Sequence, residues 1–311
     1  MKAVVFRKNG SPDVLEINDI EKPIIKNDEV LVKVYAASVN PVDVFIRKNR
    51  IIAFFVNRRS KITGSDLSGK IESIGRTVVS VKNGDDVFGF RQGGTTAEYV
   101  AISEKKIAIK PVNMTFEEAA AVPLAALTAL QALRDKGNIC SGQNVLINGA
   151  SGGVGTYAVQ IAKSFGTNVT GVSSTKNLEL IKSLGSDKVI DYTKEDFTRT
   201  DQRYDIVLDA VAKSSYSKCK RILNQGGIFV STGFSPLLFI QVMSSTLFGD
   251  KKAKTVFVNS NTKDLEIIGE LIKEDKVKSV IDQSYPMDKT SEAHLHIENG
   301  HTKGKVVISI N

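Results

Sequence analysis

Short apolar runs separated by Gly, Pro, Asn and Asp fill roughly the first third of the chain. Runs of this length that are rich in Val and Ile are typical of β-strands. Their close spacing predicts an antiparallel, partly closed β-domain. The runs cover residues 3–6, 13–20, 29–37, 68–75, 86–90 and 97–102.

The pattern changes after Pro111, where Ala and Leu begin to recur at helical spacing. Thr115 precedes Phe116 and two glutamates, which is a typical helix start, so we predict a helix over 115–133. From residue 144 onward, strand-like runs alternate with helical segments. Repeated βαβ units predict a parallel, doubly wound sheet. Its predicted strands cover 144–148, 168–172, 188–190, 205–209, 227–231 and 255–258.

A chain of 311 residues is long for one hydrophobic core, so we expect two domains. The last thirty residues return to a β pattern, and the final strand, 305–310, most simply rejoins the first domain. We therefore predict an α/β protein in which residues 1–113 and 283–311 form a β-domain. Residues 114–282 then form the doubly wound domain, inserted between the two parts of the other.

The composition is that of a globular protein, with 41% hydrophobic and 24% charged residues and a mean hydropathy of -0.08. The longest apolar stretches, 119–133 and 236–248, are shorter than the roughly 20 residues that span a bilayer. We expect no membrane-spanning segment. The amino terminus lacks the pattern of a secretory signal, and we expect a cytoplasmic location.

The net charge of +8 is compatible with a nucleic acid, a membrane surface or an anionic small molecule as partner. The dense basic patch flanks the apolar run 51–56 and does not form a helix face, so we do not expect a nucleic acid. A solvated loop is the simpler interpretation of the patch. The apolar run itself is compatible with a mobile lip over a substrate cleft or with a core element. The patch consists of Arg47, Lys48, Arg50, Arg58, Arg59 and Lys61.

A glycine-rich turn follows the predicted strand 144–148 and leads into a helix. Residues 149–155 read Gly-Ala-Ser-Gly-Gly-Val-Gly, so the backbone could approach a pyrophosphate closely. The amino end of the helix would offer free N–H groups and a positive dipole end. With a strand before it and a helix after it, the turn predicts a bound dinucleotide. The contacting residues would be Ser151, Gly152, Gly153 and Val154.

The end of the second strand in this domain favours NADPH over NADH. NAD sites carry a carboxylate there that holds the ribose 2'-hydroxyl, but this chain has Ser173, Ser174 and Lys176. Without a carboxylate the site does not repel a 2'-phosphate, and these three residues could donate hydrogen bonds and charge to it. A helix cap followed by a solvated lysine would give the same sequence.

Several segments share their order and spacing with a known superfamily, among them Ser-Val-Asn-Pro-Val-Asp at 38–43 and Gly-Ser-Asp-Leu-Ser-Gly at 64–69. The others are 84–87, 118–129, 149–155, 183–192 and 300–307. On these segments the chain resembles the medium-chain dehydrogenase/reductase superfamily, in its zinc-free, zeta-crystallin-like quinone oxidoreductase branch. The resemblance implies a GroES-like β-domain, a Rossmann domain and an active site in the cleft between them.

The zinc alcohol dehydrogenases of that superfamily have a Cys where this chain has Asn40, and Gly-His-Glu where it has 64–66. The chain has two cysteines, and its three histidines all lie near the carboxyl end, so we expect no metal site. Without a Lewis acid, acceptors that stabilise the added charge themselves are favoured. We expect a zinc-independent, NADPH-dependent oxidoreductase acting on a quinone or an α,β-unsaturated carbonyl such as a 2-alkenal.

The resemblance also implies positions for individual residues. It places Asn40 and Asp43 near the nicotinamide and its ribose, where Asn40 could donate a hydrogen bond to developing oxyanion charge. Both residues are equally compatible with a purely structural role in a turn. The other implied cofactor residues are Thr128 on a helix, Tyr192 against the adenosine, Gly233 and Phe234 beside the nicotinamide, and His301 and Lys303 near the phosphate end.

A second hypothesis stays open at this point. The basic patch and a pI near 9.2 are also compatible with a catalytically weak NADPH-binding protein that acts through RNA, a membrane or a protein partner. The two hypotheses differ in whether an added acceptor consumes NADPH. The sequence allows a homodimer in either case.

Overall fold

The computed structural model describes residues 1–49, 62–233 and 235–310. These residues fall into two compact units. The first unit comprises Met1–Leu124, Ser260–Asp275 and Ser279–Asn311, and the second unit comprises Ala125–Asn259 and Lys276–Lys278. The predicted domain boundaries stay a prediction. The two units differ from them, because 114–124, 260–275 and 279–282 belong to the first unit.

The secondary structure of the described residues is numbered here in chain order. The strands are β1 (Lys2–Phe6), β2 (Leu15–Asp19), β3 (Glu29–Val39), β4 (Asp66–Ile74), β5 (Asp86–Phe90), β6 (Tyr99–Ser103), β7 (Ile107–Ile109), β8 (Asn144–Asn148), β9 (Asn168–Ser173), β10 (Lys188–Asp191), β11 (Tyr204–Asp209), β12 (Leu223–Ser231), β13 (Lys252–Thr255), β14 (Ile281–Pro286) and β15 (Lys305–Ser309). The α-helices are α1 (Pro41–Lys48), α2 (Phe116–Ala120), α3 (Pro123–Gln131), α4 (Gly153–Ser164), α5 (Leu178–Ser183), α6 (Tyr216–Cys219), α7 (Pro236–Phe248), α8 (Thr262–Lys273) and α9 (Thr290–Asn299).

The first unit is built around one sheet with the strand order β14-β15-β3-β4-β5-β7, and β6 also pairs with β3. The final strand β15 lies antiparallel beside β3, with Val306 opposite Val39. The sequence predicts only that this strand joins the first domain. The core of the sheet consists mainly of Val, Ile and Leu side chains that are almost fully buried. This register places the first residue of β15, Lys305, at the end of β3.

The second unit contains a six-stranded parallel sheet in the order β10-β9-β8-β11-β12-β13. The order reverses at β8, because β9 and β10 lie on one side of it and β11 to β13 lie on the other. In open parallel sheets, ligands bind at the carboxyl ends of the strands beside such a reversal. The glycine-rich turn follows β8 and therefore occupies this position.

Several predicted elements differ from the observed ones. The predicted helix 115–133 is divided at Pro123, because a proline lacks the N–H that would bond to the preceding turn. The helical segment expected between the predicted strands 205–209 and 227–231 is the short α6 and a 3-10 turn, and Leu223 already begins β12. The predicted strand 255–258 is β13 at Lys252–Thr255. The last thirty residues are not all β, since they contain α9.

The expectation that the basic patch is a solvated loop is wrong for Arg47. This side chain is fully buried, donates a 2.6 Å hydrogen bond to the Gly10 carbonyl and pairs with Glu298. An arginine at the end of an amphipathic helix can face inward when a carboxylate meets it. The stretch 50–61, which includes the rest of the patch beyond Lys48 and the apolar run, lies outside the described residues.

Helix α7 corresponds to the second apolar stretch of the sequence. It is 13 residues long and packs against β13, with Leu238 and Ser245 buried. Among the described helices, none combines the length and apolar character that crossing a membrane requires.

Candidate active site and cofactor site

The glycine-rich turn between β8 and α4 is shaped by its backbone. Gly149 has a φ of +79°, and the N–H groups of Gly149 and Ala150 donate to the Val172 carbonyl over 3.1 and 3.0 Å. A Cβ on Gly155 would overlap the Gly149 carbonyl oxygen, so a larger residue would push the helix away from the turn. Gly152 caps α4 without a side chain. The first N–H groups of α4 can therefore face an anion directly, as a pyrophosphate requires.

A network of hydroxyl and amide groups joins the turn to the end of β9. Ser151 Oγ and Ser173 Oγ are 2.7 Å apart, and Asn177 Nδ2 donates to Ser151 Oγ over 3.1 Å and to Ser174 Oγ over 3.4 Å. Asn177 is 7% exposed, and its Oδ1 has no hydrogen-bond partner within the described parts of the chain. A buried acceptor without a partner fits a donor from a ligand, which is consistent with a dinucleotide at this turn.

The end of β9 also shows where the nearby charges lie. Lys176 is exposed in the 3-10 turn that follows β9, and Tyr192 is half-exposed with its N–H on the Ser173 carbonyl. The neighbouring strand β10 brings a carboxylate, Asp191, opposite Ser173. Hydrogen bonds from the Thr175 and Thr193 hydroxyls occupy this carboxylate and hold its pKa at about 2. The Asp191 carboxylate is thus ionised, and its oxygens already accept hydrogen bonds from the two threonines.

The remaining predicted cofactor residues lie on other elements. Thr128 lies in α3, and Gly233 follows β12 with its N–H on the Ser231 hydroxyl. His301 and Lys303 lie in the first unit, in the segment between α9 and β15, and His301 has a φ of +65°. Phe234 lies outside the described residues.

The first unit contains a cluster of buried polar side chains centred on Asp66, which we call the Asp66 cluster. It also includes Ser38, Asn40, Asp43, Ser65 and Lys305. Asp66 is fully buried at the start of β4, and its two oxygens accept four hydrogen bonds. The donors are Ser38 Oγ at 2.6 Å, Asn40 Nδ2 at 2.8 Å, Lys305 Nζ at 3.2 Å and the Leu124 N–H at 2.8 Å.

Lys305 holds the other end of the Asn40 amide. Its ammonium donates to Asn40 Oδ1, and the lysine side chain is only 4% exposed. The Asn40 amide is therefore bound at its oxygen by Lys305 and at its nitrogen by Asp66. This geometry fixes the orientation of the amide. Such a contact is compatible with the purely structural role considered for Asn40. The role of Asn40 as an oxyanion donor stays a prediction.

Asp43 is buried in the first turn of α1. Its carboxylate accepts the Asn40 N–H over 2.8 Å and the Ser65 hydroxyl over 2.5 Å. Burial raises the pKa of Asp43 to about 6, because the charged form loses its hydration, while these two hydrogen bonds act in the opposite direction. Asn40 and Asp43, predicted as a pair, are thus joined directly. A carboxyl that titrates near pH 6 was not expected from the sequence.

The residues at the positions of the zinc ligands do not fit a tetrahedral zinc site. These positions are Asn40, Ser65 and Asp66, and both oxygens of the carboxylate are already engaged. The Lys305 ammonium lies against the same groups, where its charge would repel a metal cation. Across residues 1–49, 62–233 and 235–310, no group of three or more His, Cys, Asp or Glu side chains could hold a metal ion.

Sequence reasoning did not single out Lys305, or the contribution of Asn177. The only signal for Lys305 is a charged residue at the head of the apolar strand Val306–Ile310. For Asn177 it is only that a polar residue precedes the helical segment of α5. Neither signal names a partner, because the partners are 239 and 26 residues away in the sequence.

Two family models match separate parts of the chain. Residues 26–112 match a model described as an alcohol dehydrogenase GroES-like domain, and residues 184–308 match one described as a zinc-binding dehydrogenase. The first match covers most of the β-sheet residues of the amino-terminal part. The second covers the later strands of the parallel sheet together with the carboxyl-terminal strand.

Similarity to curated proteins extends over nearly the whole chain. The chain is 38% identical to a 2-methylene-furan-3-one reductase of Solanum lycopersicum, an alignment that covers 99% of this chain and 79% of that protein. It is 34% identical to an NADPH-dependent alkenal/one oxidoreductase, chloroplastic, of Arabidopsis thaliana, with the same coverage. A chloroplastic quinone-oxidoreductase homolog of Spinacia oleracea is also 34% identical, over 96% of this chain and 95% of that protein.

A solved structure of the quinone oxidoreductase from Coxiella burnetii has the same fold. It superposes with a TM-score of 0.91 at 32% identity, covering 100% of this chain and 99% of that chain. This similarity, with the parallel sheet of the second unit, confirms the predicted α/β class with a GroES-like domain and a Rossmann domain.

The burial of the ion pair between Lys305 and Asp66 can be tested by measuring the free energy of unfolding of variants. In Lys305→Met the Asp66 carboxylate keeps its burial but loses its counter-ion, so the free energy of unfolding should fall by about 3 to 5 kcal/mol. Urea denaturation measures this. The double variant Lys305→Met/Asp66→Asn, which has no buried charge at this place, should recover a large part of the loss. A loss below about 1 kcal/mol in the single variant would show that the pair is not buried as described.

The raised pKa of Asp43 gives a test by pH. The folded pKa of about 6 lies above the unfolded value of about 3.9, so the native state binds the proton more tightly between these values. The free energy of unfolding of the wild type should therefore fall, relative to that of Asp43→Asn, by about 2 kcal/mol between pH 4 and pH 7. Urea denaturation across this range measures the difference, with the exposed Asp288→Asn as the control variant. A difference that does not change with pH would contradict the raised pKa.

Proposed function

Since the chain belongs to the medium-chain dehydrogenase/reductase superfamily, we propose that it transfers a hydride from NADPH to a quinone or an α,β-unsaturated carbonyl. The observation that carries this proposal is the full-length similarity to reductases that are named for enone, alkenal and quinone acceptors. Their names cover two acceptor classes with one chemical property in common. In both classes the carbonyl oxygen receives, through conjugation, the negative charge that hydride addition creates.

Residues of the second unit would hold the cofactor, and bound NADPH would supply the hydride. The N–H groups at the start of α4 are suited to the pyrophosphate, because no side chain caps this end of the helix. Ser173, Ser174 and Lys176 at the end of β9 are suited to the 2'-phosphate, since hydroxyls and an ammonium can all donate to it. Asn177 orients the hydroxyls of Ser151 and Ser174 through its amide nitrogen.

We propose that the reduction needs no zinc. The proposal rests on the Asp66 cluster, where the side chains that would have to bind a metal are bonded to one another and to Lys305. The chain's own residues then contribute a fixed amide at Asn40 and a carboxyl at Asp43 that can hold or release a proton near pH 6. Conjugated acceptors suit such a site, because they need positioning more than strong polarisation.

The partner that this function requires is a small-molecule acceptor. Two further expectations rest on the sequence alone and stay predictions: a cytoplasmic location and the absence of a nucleic acid partner. The sequence also allows a homodimer without predicting one.

The choice of cofactor can be tested at Lys176. Lys176→Ala should weaken NADPH binding by about 1 to 3 kcal/mol, the range for one charge-assisted hydrogen bond, and leave NADH binding almost unchanged. Fluorescence titration of both cofactors measures this. Lys182→Ala, which removes an exposed lysine of the following helix, is the matched control. Equal losses for both cofactors would remove Lys176 from the 2'-phosphate site.

The reaction itself can be tested by following NADPH absorbance with a panel of quinones, 2-alkenals and cyclic enones. We expect at least one class to consume NADPH, and prolonged treatment of the protein with EDTA to leave the rate unchanged. Elemental analysis should find no stoichiometric zinc. If no acceptor consumes NADPH although the cofactor binds, the protein is a cofactor-binding protein of another kind. If EDTA abolishes turnover and zinc restores it, the zinc-independent reaction is refuted.

A further inference from the structure

Helix α7 presents a surface that the proposed reaction does not explain. Five of its large apolar side chains are half-exposed or more. We call these five side chains together the α7 surface. They are Leu237 at 61%, Phe239 at 55%, Ile240 at 62%, Met243 at 50% and Leu247 at 67% exposure. The helix carries no charged residue between Pro236 and Gly249.

Single exposed apolar side chains are ordinary on protein surfaces, but a contiguous group of them on one element marks an interaction site. On α7 the pairs 237 and 240, 239 and 243, and 240 and 243 stand three or four residues apart, so neighbouring side chains adjoin along the helix. Leu238 and Ser245 already anchor the opposite side of the helix on the protein. The α7 surface is therefore additional to the face that folding uses.

The chain on either side of α7 is strongly basic. Two contacts bring this charge to the carboxyl end of the helix: Lys252 Nζ donates to the Ser245 and Gly249 carbonyls, and Lys251 Nζ donates to the Lys220 carbonyl. From Ala210 to Asn259 one acidic residue, Asp250, accompanies seven basic residues. The basic residues are Lys213, Lys218, Lys220, Arg221, Lys251, Lys252 and Lys254.

We propose that α7 docks the protein on an anionic lipid bilayer. An interfacial helix lies in the plane of the membrane, with apolar side chains at the boundary of headgroups and acyl chains and with basic residues beside the lipid phosphates. The α7 surface supplies the first feature and the flanking lysines supply the second. At 13 residues the helix is about 20 Å long, which suits lying on a bilayer and is too short to cross it.

A second copy of the chain fits this surface less well. A helix about 20 Å long and about 10 Å wide has a footprint on the order of 200 Å², whereas a standard interface buries about 800 Å² on each partner. In a two-fold dimer the same patch meets itself, so the basic flank would face the basic flank of the other copy. Anionic headgroups neutralise this flank instead.

Vesicle co-sedimentation tests the proposal on the full chain. Vesicles of phosphatidylglycerol and phosphatidylcholine in equal parts should bind the wild type, and pure phosphatidylcholine vesicles should bind it much less. Ile240→Gln/Leu247→Gln should weaken binding by about tenfold or more, because two inserted side chains become polar. The matched control is Val79→Gln/Val112→Gln, which makes the same change at two valines of the first unit that are 90% and 94% exposed.

A second pair of variants tests the charge. Lys218→Gln/Lys220→Gln should weaken binding to the anionic vesicles, whereas Lys105→Gln/Lys106→Gln, at exposed lysines of the first unit, should not. Sedimentation velocity without lipid shows whether the wild type and the α7 variants are monomers or dimers. The proposal is overturned if the wild type binds no vesicles, or if the α7 and control variants bind them equally. It is also overturned if α7 variants abolish a dimer while no vesicle binding is seen, because the α7 surface is then an interface between copies.

Discussion

The first unit depends on one buried ion pair, between the ammonium of Lys305 and the carboxylate of Asp66. A buried carboxylate is tolerated only when donors replace its lost hydration, and here four donors do so. Those donors come from the end of β3, the cap of α1, the start of β15 and the amide of Leu124. Asp66 therefore ties together three parts of the chain that are distant in sequence, around residues 38–40, 124 and 305. The orientation of Asn40 follows from the same pair.

The interactions with a local signature could be predicted from the sequence. The glycines of the phosphate turn, the alternation of strands and helices from residue 144, and the pairing of the last strand with the first sheet follow from residue type, periodicity and chain order. The Asp66 cluster could not be predicted in the same way. Its members are ordinary polar residues, and only the register of β15 beside β3 brings Lys305 to Asp66.

Long-range packing also explains where local signals misled. Arg47 lies in a basic stretch that resembles a solvated loop, but Glu298 reaches it from a helix 251 residues away. Pro123 divides a segment whose alanines and leucines alone would favour one continuous helix. In the second unit, the sequence predicts Ser151, Ser173 and Ser174 as cofactor residues, but it does not predict how they bond to one another. Their arrangement depends on Asn177, whose amide joins the turn after β8 to the end of β9.

The pairing of β15 with β3 also sets an order of events during synthesis. The strands of the parallel sheet lie between residues 144 and 255, so all of them are synthesised before Lys305. That sheet can form while the chain is still growing, because domains fold as units during synthesis. Asp66 is made early, but its counter-ion lies 239 positions later, so the ion pair forms only after Lys305 is made. The nascent β-domain therefore stays open until residues 305–309 are made, because residues 36–39 of β3 lack their neighbour on the edge that β6 covers only at residues 29–33.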